Sequence, residues 1–156
     1  MSPEYRARIE AGRPRLYAIA REHYGLELSQ GPFGINSRTA LVGAKVAEAQ
    51  GVGAAYHDAV FRSYWQEGQD ISDRSVLAAI AEKVGLEPDA FLAALDDPDF
   101  DRQVQEDVEQ AHAYGLNAVP ALVFVHKYLV SGAQPYPVLV QVTEQVQAEL
   151  RNGGAA

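Results

Sequence analysis

The sequence contains no cysteine among its 156 residues. For this polypeptide that excludes disulfides, thiolate metal sites and cysteine nucleophiles together. Apolar runs approaching the roughly 20 residues that span a bilayer are also missing. The N-terminus lacks the apolar segment of a secretory signal, so the chain is read as cytoplasmic and without a membrane partner. Positive charge is scarce, with 13 Lys and Arg against 21 Asp and Glu and a formal net charge of -8. Nucleic acid and anionic lipid need clustered cations, so neither is an expected partner. Arg6, Arg8, Arg13, Arg15 and Arg21 crowd the N-terminus, but Glu4, Glu10 and Glu22 are interleaved with them, which marks a solvated helix face rather than a transit peptide.

Catalytic signatures are equally sparse. The sequence holds no glycine-rich phosphate loop, no Gly-x-Ser-x-Gly elbow and no His-Glu-x-x-His, and it shows no internal repeat or low-complexity segment. His57 and His112 fall on predicted helices without a second histidine three or four residues away, and His23 and His126 lie near element ends. Asp96-Asp97-Pro98-Asp99 lacks the alternating ligands and glycine of a calcium loop and is explained by helix capping. No metal and no cofactor are expected.

What is present is strong helical patterning. Ser2-Pro3 sets a cap and a first-turn proline, and Tyr5, Ile9, Leu16, Ile19 and Ala20 carry a helix to about Tyr24, with Pro14 expected to kink it. Gly31-Pro32 and Gly34 mark a loop from Leu28 to Ile35. Asn36-Ser37 offers cap oxygens to a helix through Leu41, Val42, Ala44 and Val46 that ends at Gly51. From Val52 to Gln66, the residues Tyr56, Val60, Phe61, Tyr64 and Trp65 build one broad aromatic face expected in the core. Asp73 caps a helix burying Val76, Leu77, Ile80 and Val84, and Pro88 opens a short one with Phe91, Leu92 and Leu95. Asp97-Pro98 starts another, through Phe100, Val104, Val108 and Ala111 to Gly115.

At Ala121 the texture changes. Ala121 to Val125 is a short continuous apolar run rich in strand formers, and the spacing predicts a buried strand. Tyr128 to Ser131 follows as a second strand after a tight turn near His126-Lys127, ended by Gly132. Pro135 and Pro137 fit a first helical turn, after which Val138, Leu139, Val142, Val146 and Leu150 mark an amphipathic helix with a frayed tail from Arg151.

Four segments carry a resemblance over about Tyr5 to Leu150. They are Ala118-Val-Pro-Ala-Leu-Val-Phe124, Tyr128-Leu-Val-Ser-Gly-Ala-Gln134, the Gly34-Ile-Asn-Ser-Arg38 loop and the helix around Tyr56-His-Asp-Ala-Val-Phe-Arg-Ser-Tyr-Trp65. Together they resemble the DsbA-like thioredoxin-fold family, in particular its FrnE-type branch. The resemblance implies a mostly helical α/β fold: the C-terminal half of a thioredoxin-like fold with an inserted helical domain. The implied organisation is an N-terminal helix and loop over 1–35, a helical insertion over 36–114, and a partial thioredoxin-like subdomain over 115–151.

Family members are typically thiol-disulfide oxidoreductases, with a Cys-x-x-Cys opening their first helix, where the helix dipole stabilises a thiolate. The family's first strand, its Cys-x-x-Cys helix and its second strand should all precede Ser2, so the sequence is expected to be an N-terminally shortened member that is redox-inactive by itself. In such proteins the residue before a cis-proline offers backbone hydrogen bonds to substrate; the matching positions are Val119 and Pro120. The resemblance therefore implies an oxidoreductase by descent or, alternatively, a non-catalytic remnant that binds an extended peptide or protein at Val119-Pro120. A relative of the glutathione-dependent isomerases is a weaker alternative. An uncovered edge on the strand from Ala121 also leads to the expectation that the isolated chain dimerises, swaps or is partly molten.

Overall fold

The computed structural model describes residues 2–153. In chain order the elements are α1 (Pro3–Tyr24), α2 (Arg38–Ala49), α3 (Gly53–Trp65), α4 (Arg74–Lys83), α5 (Pro88–Ala94), α6 (Pro98–Ala113), β1 (Ala121–Phe124), β2 (Tyr128–Ser131) and α7 (Tyr136–Gly153). They divide into two compact units, one up to Val104 and one from Gln105, with the division inside α6.

In the first unit most helix ends are closed by the residues the sequence marks. Ser2 Oγ accepts from the Tyr5 N–H, Asp73 Oδ1 from Ser75, and Asp97 Oδ1 from Asp99. At α2 the cap is Asn36, whose Oδ1 accepts from the Arg38 N–H at 3.0 Å, whereas Ser37 makes no capping bond with its side chain. Helix α1 is assigned without a break through Pro14 and ends on Gly25 at φ 64°, in the left-handed region that glycine adopts freely. Its inner face holds the following loop. Tyr17 Oη donates to the Ser29 carbonyl, Arg13 donates to that of Gly31, and the Arg6 and Arg13 guanidiniums lie over the Phe33 ring.

The core of this unit joins α2, α3, α4 and α5 through Val42, Val46, Ala47, Tyr56, Val60, Leu77, Ile80, Ala81 and Phe91. The Tyr56 ring lies against Gly43, where an added Cβ would fall onto Tyr56 Oη and within 2.8 Å of Phe91 Cζ. The aromatic face of α3 is narrower than the sequence suggests. Tyr56, Val60 and Ser63 are buried, while Phe61 is 54% and Trp65 38% exposed. One helix presents a single stripe to a core, and the i, i+4, i+7 row fills it.

The second unit holds an antiparallel hairpin that pairs Ala121 with Ser131, Leu122 with Val130, Val123 with Leu129 and Phe124 with Tyr128. Two expectations fail here. The strand stops at Phe124 because Val125 and His126 take φ of 48° and 57°, which ends the ladder in a turn. Nor is β1 buried: among the described residues it has one strand neighbour, and Leu122 is 45% exposed. The C-terminus is also more regular than expected. Helix α7 continues through Arg151, Asn152 and Gly153, while Gly154 lies outside the described residues. The Pro135 carbonyl accepts from the Val138 N–H, and Pro137 occupies the first turn where its missing N–H costs nothing.

Candidate peptide-binding edge

The approach to the hairpin is fixed from behind. Gly115, at φ 70°, ends α6, and its N–H and that of Leu116 donate to the carbonyls of His112 and Ala111. The chain then runs out to Val119, which is 91% exposed, and the Val119–Pro120 peptide bond is cis.

The Pro120 carbonyl accepts from the Gly132 N–H at 2.9 Å. Hydrogen-bonded and non-bonded pairs alternate along an antiparallel ladder, so this bond sets the phase. Leu122 and Phe124 spend their backbone groups on β2, and Ala121 and Val123 turn theirs to the outer edge. No strand among the described residues pairs with that edge. By the same alternation Leu129 and Ser131 face outward from β2, but there the Ser131 carbonyl already accepts from Gln134 Nε2 at 2.8 Å. The two edges therefore differ: among the described residues nothing takes up the outward groups of β1.

The rest of the hairpin is held by polar contacts. Tyr114 Oη and His126 Nδ1 lie 2.5 Å apart. Tyr128 Oη donates to Glu149 Oε2, and this bond is the chief reason the Glu149 carboxyl titrates below its ordinary range. Lys127 lies over the Tyr128 ring at 4.7 Å and 3.7 Å from Glu149, and the Tyr128 contact comes first in raising its pKa. Lys127 and Tyr128 anchor the hairpin to α7 through Glu149, and His126 ties its turn to Tyr114 just after α6. They do not converge on a cavity with nucleophile, base and oxyanion donors.

The histidines are not brought together. His57 contacts Asp58 and the Phe61 ring, His23 and His112 sit in last helical turns, and no group of three His, Asp or Glu able to hold a metal occurs among the described residues. Asp96, which the sequence places in an acidic run, makes a two-pronged pair with Arg74, Oδ1 to Nη1 and Oδ2 to Nη2 at 2.8 Å each. Among the described residues no helix is long and apolar enough to cross a membrane.

The sequence reading names Val119 and Pro120 and says nothing of Ala121 and Val123, whose outward backbone groups the ladder places beside them. Apolar periodicity reports which face of a strand a side chain takes, whereas the direction of a backbone N–H depends on the pairing phase. The Gly132 to Pro120 bond alone reveals it.

A hairpin entered through an X-Pro bond and closed by a C-terminal helix, with a helical unit before it, defines the later part of a thioredoxin-like domain. Residues 13–144 match the DsbA-like thioredoxin domain. The chain belongs to that family.

Among solved structures, a probable DsbA oxidoreductase from Streptomyces coelicolor superposes with a TM-score of 0.79 at 29% identity, covering 96% of this chain and 63% of that one. A 2-hydroxychromene-2-carboxylate isomerase superposes with a TM-score of 0.70 at 21% identity, covering 97% of this chain and 72% of that one, which shows the fold alone. The ClpXP adapter protein SpxH of Shouchella clausii is 30% identical over 115 residues, 69% of this chain and 38% of that protein. The chain thus spans well under half the length of that curated relative.

Proposed function

We propose that this chain is the polypeptide-binding part of a DsbA-like thioredoxin-fold protein. It receives an extended segment at Val119-Pro120 and aligns it along the outer edge of β1. The observation that carries the reading is Val119, 91% exposed and joined to Pro120 by a cis peptide bond, beside a row of backbone groups at Ala121 and Val123 with which no strand among the described residues pairs. An extended peptide gains main-chain hydrogen bonds by adding to such an edge, and alternate side chains supply selectivity. Thiol-disulfide exchange, the activity of the family, requires a thiolate, and this sequence has no cysteine to form one. In this chain the edge binds without reacting. The adapter name borne by one relative is in keeping with a binding role.

Titration of a fluorescein-labelled extended peptide, followed by anisotropy, tests the reading. Saturable binding that Val123→Pro weakens, by deleting an outward N–H, is the expected result. Anisotropy that stays flat to millimolar chain would discard it.

A further inference from the structure

We propose that Gln134 is a positioning residue for the peptide site: its side-chain amide holds the end of β2 and, through Gly132, fixes the direction in which the Val119 carbonyl is presented. This role rests on the reading of Val119-Pro120 as a polypeptide site and deepens it.

The Ser131-Gly132-Ala133-Gln134 stretch leaves β2 and folds back onto it. Gln134 Nε2 donates to the Ser131 carbonyl at 2.8 Å, and the Gly132 N–H donates to the Pro120 carbonyl at 2.9 Å. These two bonds use opposite sides of one peptide unit, because the Ser131 carbonyl and the Gly132 N–H share a plane and point in opposite directions across a trans bond. Holding the carbonyl therefore sets where the N–H points. Gly132 makes the return possible. It takes φ 78°, a conformation that strains a residue with a side chain, and Gln134 Nε2 lies 3.9 Å from where a Cβ on Gly132 would sit.

From Pro120 the constraint passes to Val119 through rigid links. The pyrrolidine ring fixes φ of Pro120, and the Val119–Pro120 peptide is planar. The ψ of Pro120 is thus the one soft torsion between the Val119 carbonyl and the Pro120 carbonyl. The Gly132 bond holds the Pro120 carbonyl, and that torsion with it. Val119 is 91% exposed, so its own side chain packs against little that could orient it. Gln134 is itself exposed and serves no apolar core. Its reach to Ser131 is what ties the site to the hairpin.

Two substitutions at Gln134 test the role. Gln134→Met keeps the length of the side chain and removes the donor, whereas Gln134→Lys keeps a donor of similar reach. Binding of the fluorescein-labelled extended peptide is followed by anisotropy, and amide exchange in the free protein by NMR. Gln134→Met is expected to weaken peptide binding about fivefold, the scale of one lost hydrogen bond. It should speed exchange at the Gly132 amide and leave the ladder amides of Leu122 and Phe124 unchanged, which a general loosening of the hairpin would not do. Gln134→Lys should restore both binding and Gly132 protection. A Gln134→Met variant that binds as tightly as the parent, or that speeds exchange at Leu122 and Phe124 as much as at Gly132, overturns the positioning role and leaves the peptide site standing. A parent that binds no peptide overturns the site reading and the positioning role together.

Discussion

The residues up to Val104 and those from Gln105 onward use the same apolar side chains and bury them to different extents. In the first unit Ala47, Tyr56, Leu77 and Ala81 are wholly inaccessible and Ile80 and Phe91 nearly so. In the second, Val146 is the one buried side chain among the described residues, while Leu122, Leu129, Val138 and Leu150 remain 38–55% exposed. Four helices that cover one another close a core, whereas a two-stranded sheet has two faces and two edges and one helix cannot cover them. The difference shows that apolar patterning specifies a face that wants a partner without specifying that the partner is present. The second unit is where the proposed peptide-binding residues Val119 and Pro120 lie.

The comparison is sharpened most by cutting into each unit. Leu77→Ala should cost about 2–5 kcal/mol, the range for deleting a fully buried leucine. Trp65 is the chain's single tryptophan and sits on α3, so its fluorescence follows the unfolding of the first unit in urea. Leu129→Ala, at a site 45% exposed, should cost far less by far-ultraviolet circular dichroism. Equal losses would break the contrast between the units.

Gly43→Ala comes next. The new methyl lands on Tyr56 Oη and Phe91 Cζ, and overpacking of this kind costs about 1–3 kcal/mol. The Tyr56 hydroxyl is buried without a hydrogen-bond partner, and burial pushes its pKa upward. Tyr56→Phe should therefore be neutral or stabilising alone, and should recover part of the Gly43→Ala loss. A double variant no more stable than Gly43→Ala alone would show that the clash is with Phe91.

In the second unit a smaller gain is available at the turn. The Lys127 N–H donates to the Phe124 carbonyl, with both intervening residues at positive φ, the requirement of a type I′ turn. That turn favours Asn-Gly, and a left-handed conformation costs a residue with a Cβ about 1–2 kcal/mol. Val125 is β-branched, the least suited class. Val125→Asn should slow amide exchange across β1 and β2 and raise stability by about 1 kcal/mol or less. Faster exchange would mean that the valine contributes packing that outweighs its backbone strain.

The uneven legibility of the sequence follows the same division. Caps at Ser2, Asp73 and Asp97, the glycine stops at Gly51 and Gly115, and the buried row Leu77 and Ile80 are local signals, and the structure reproduces them. The exposure of Phe61 and Trp65 is not local, because it depends on which stripe of α3 meets α2 and α4. The same holds for Leu122: a continuous apolar strand reads as buried on both faces, and only the tertiary surroundings decide whether it is. Of the proposed edge, Val119 and Pro120 come from the family resemblance, and Ala121 and Val123 from the ladder alone.

The smallest expected effect concerns charge. Asp96 is held below its usual carboxylate pKa by hydrogen bonds from Arg74, Asp101 by Arg38 and Glu27 by Arg21, all at exposed positions in the first unit. A carboxylate whose folded pKa is depressed contributes stability above its unfolded pKa, near 4. That contribution is lost as pH falls through the lower folded value. Exposed pairs are screened by salt, so the contribution is slight and should fade further at 1 M NaCl. Asp96→Asn should leave the tryptophan-monitored urea midpoint almost unchanged at pH 7 and flatten its decline below pH 4. An equally steep acid limb in this variant would assign the acid sensitivity to the other depressed carboxyls, Asp101, Glu27 and Asp73, the last lowered by the Ser75 hydroxyl and backbone at the start of α4.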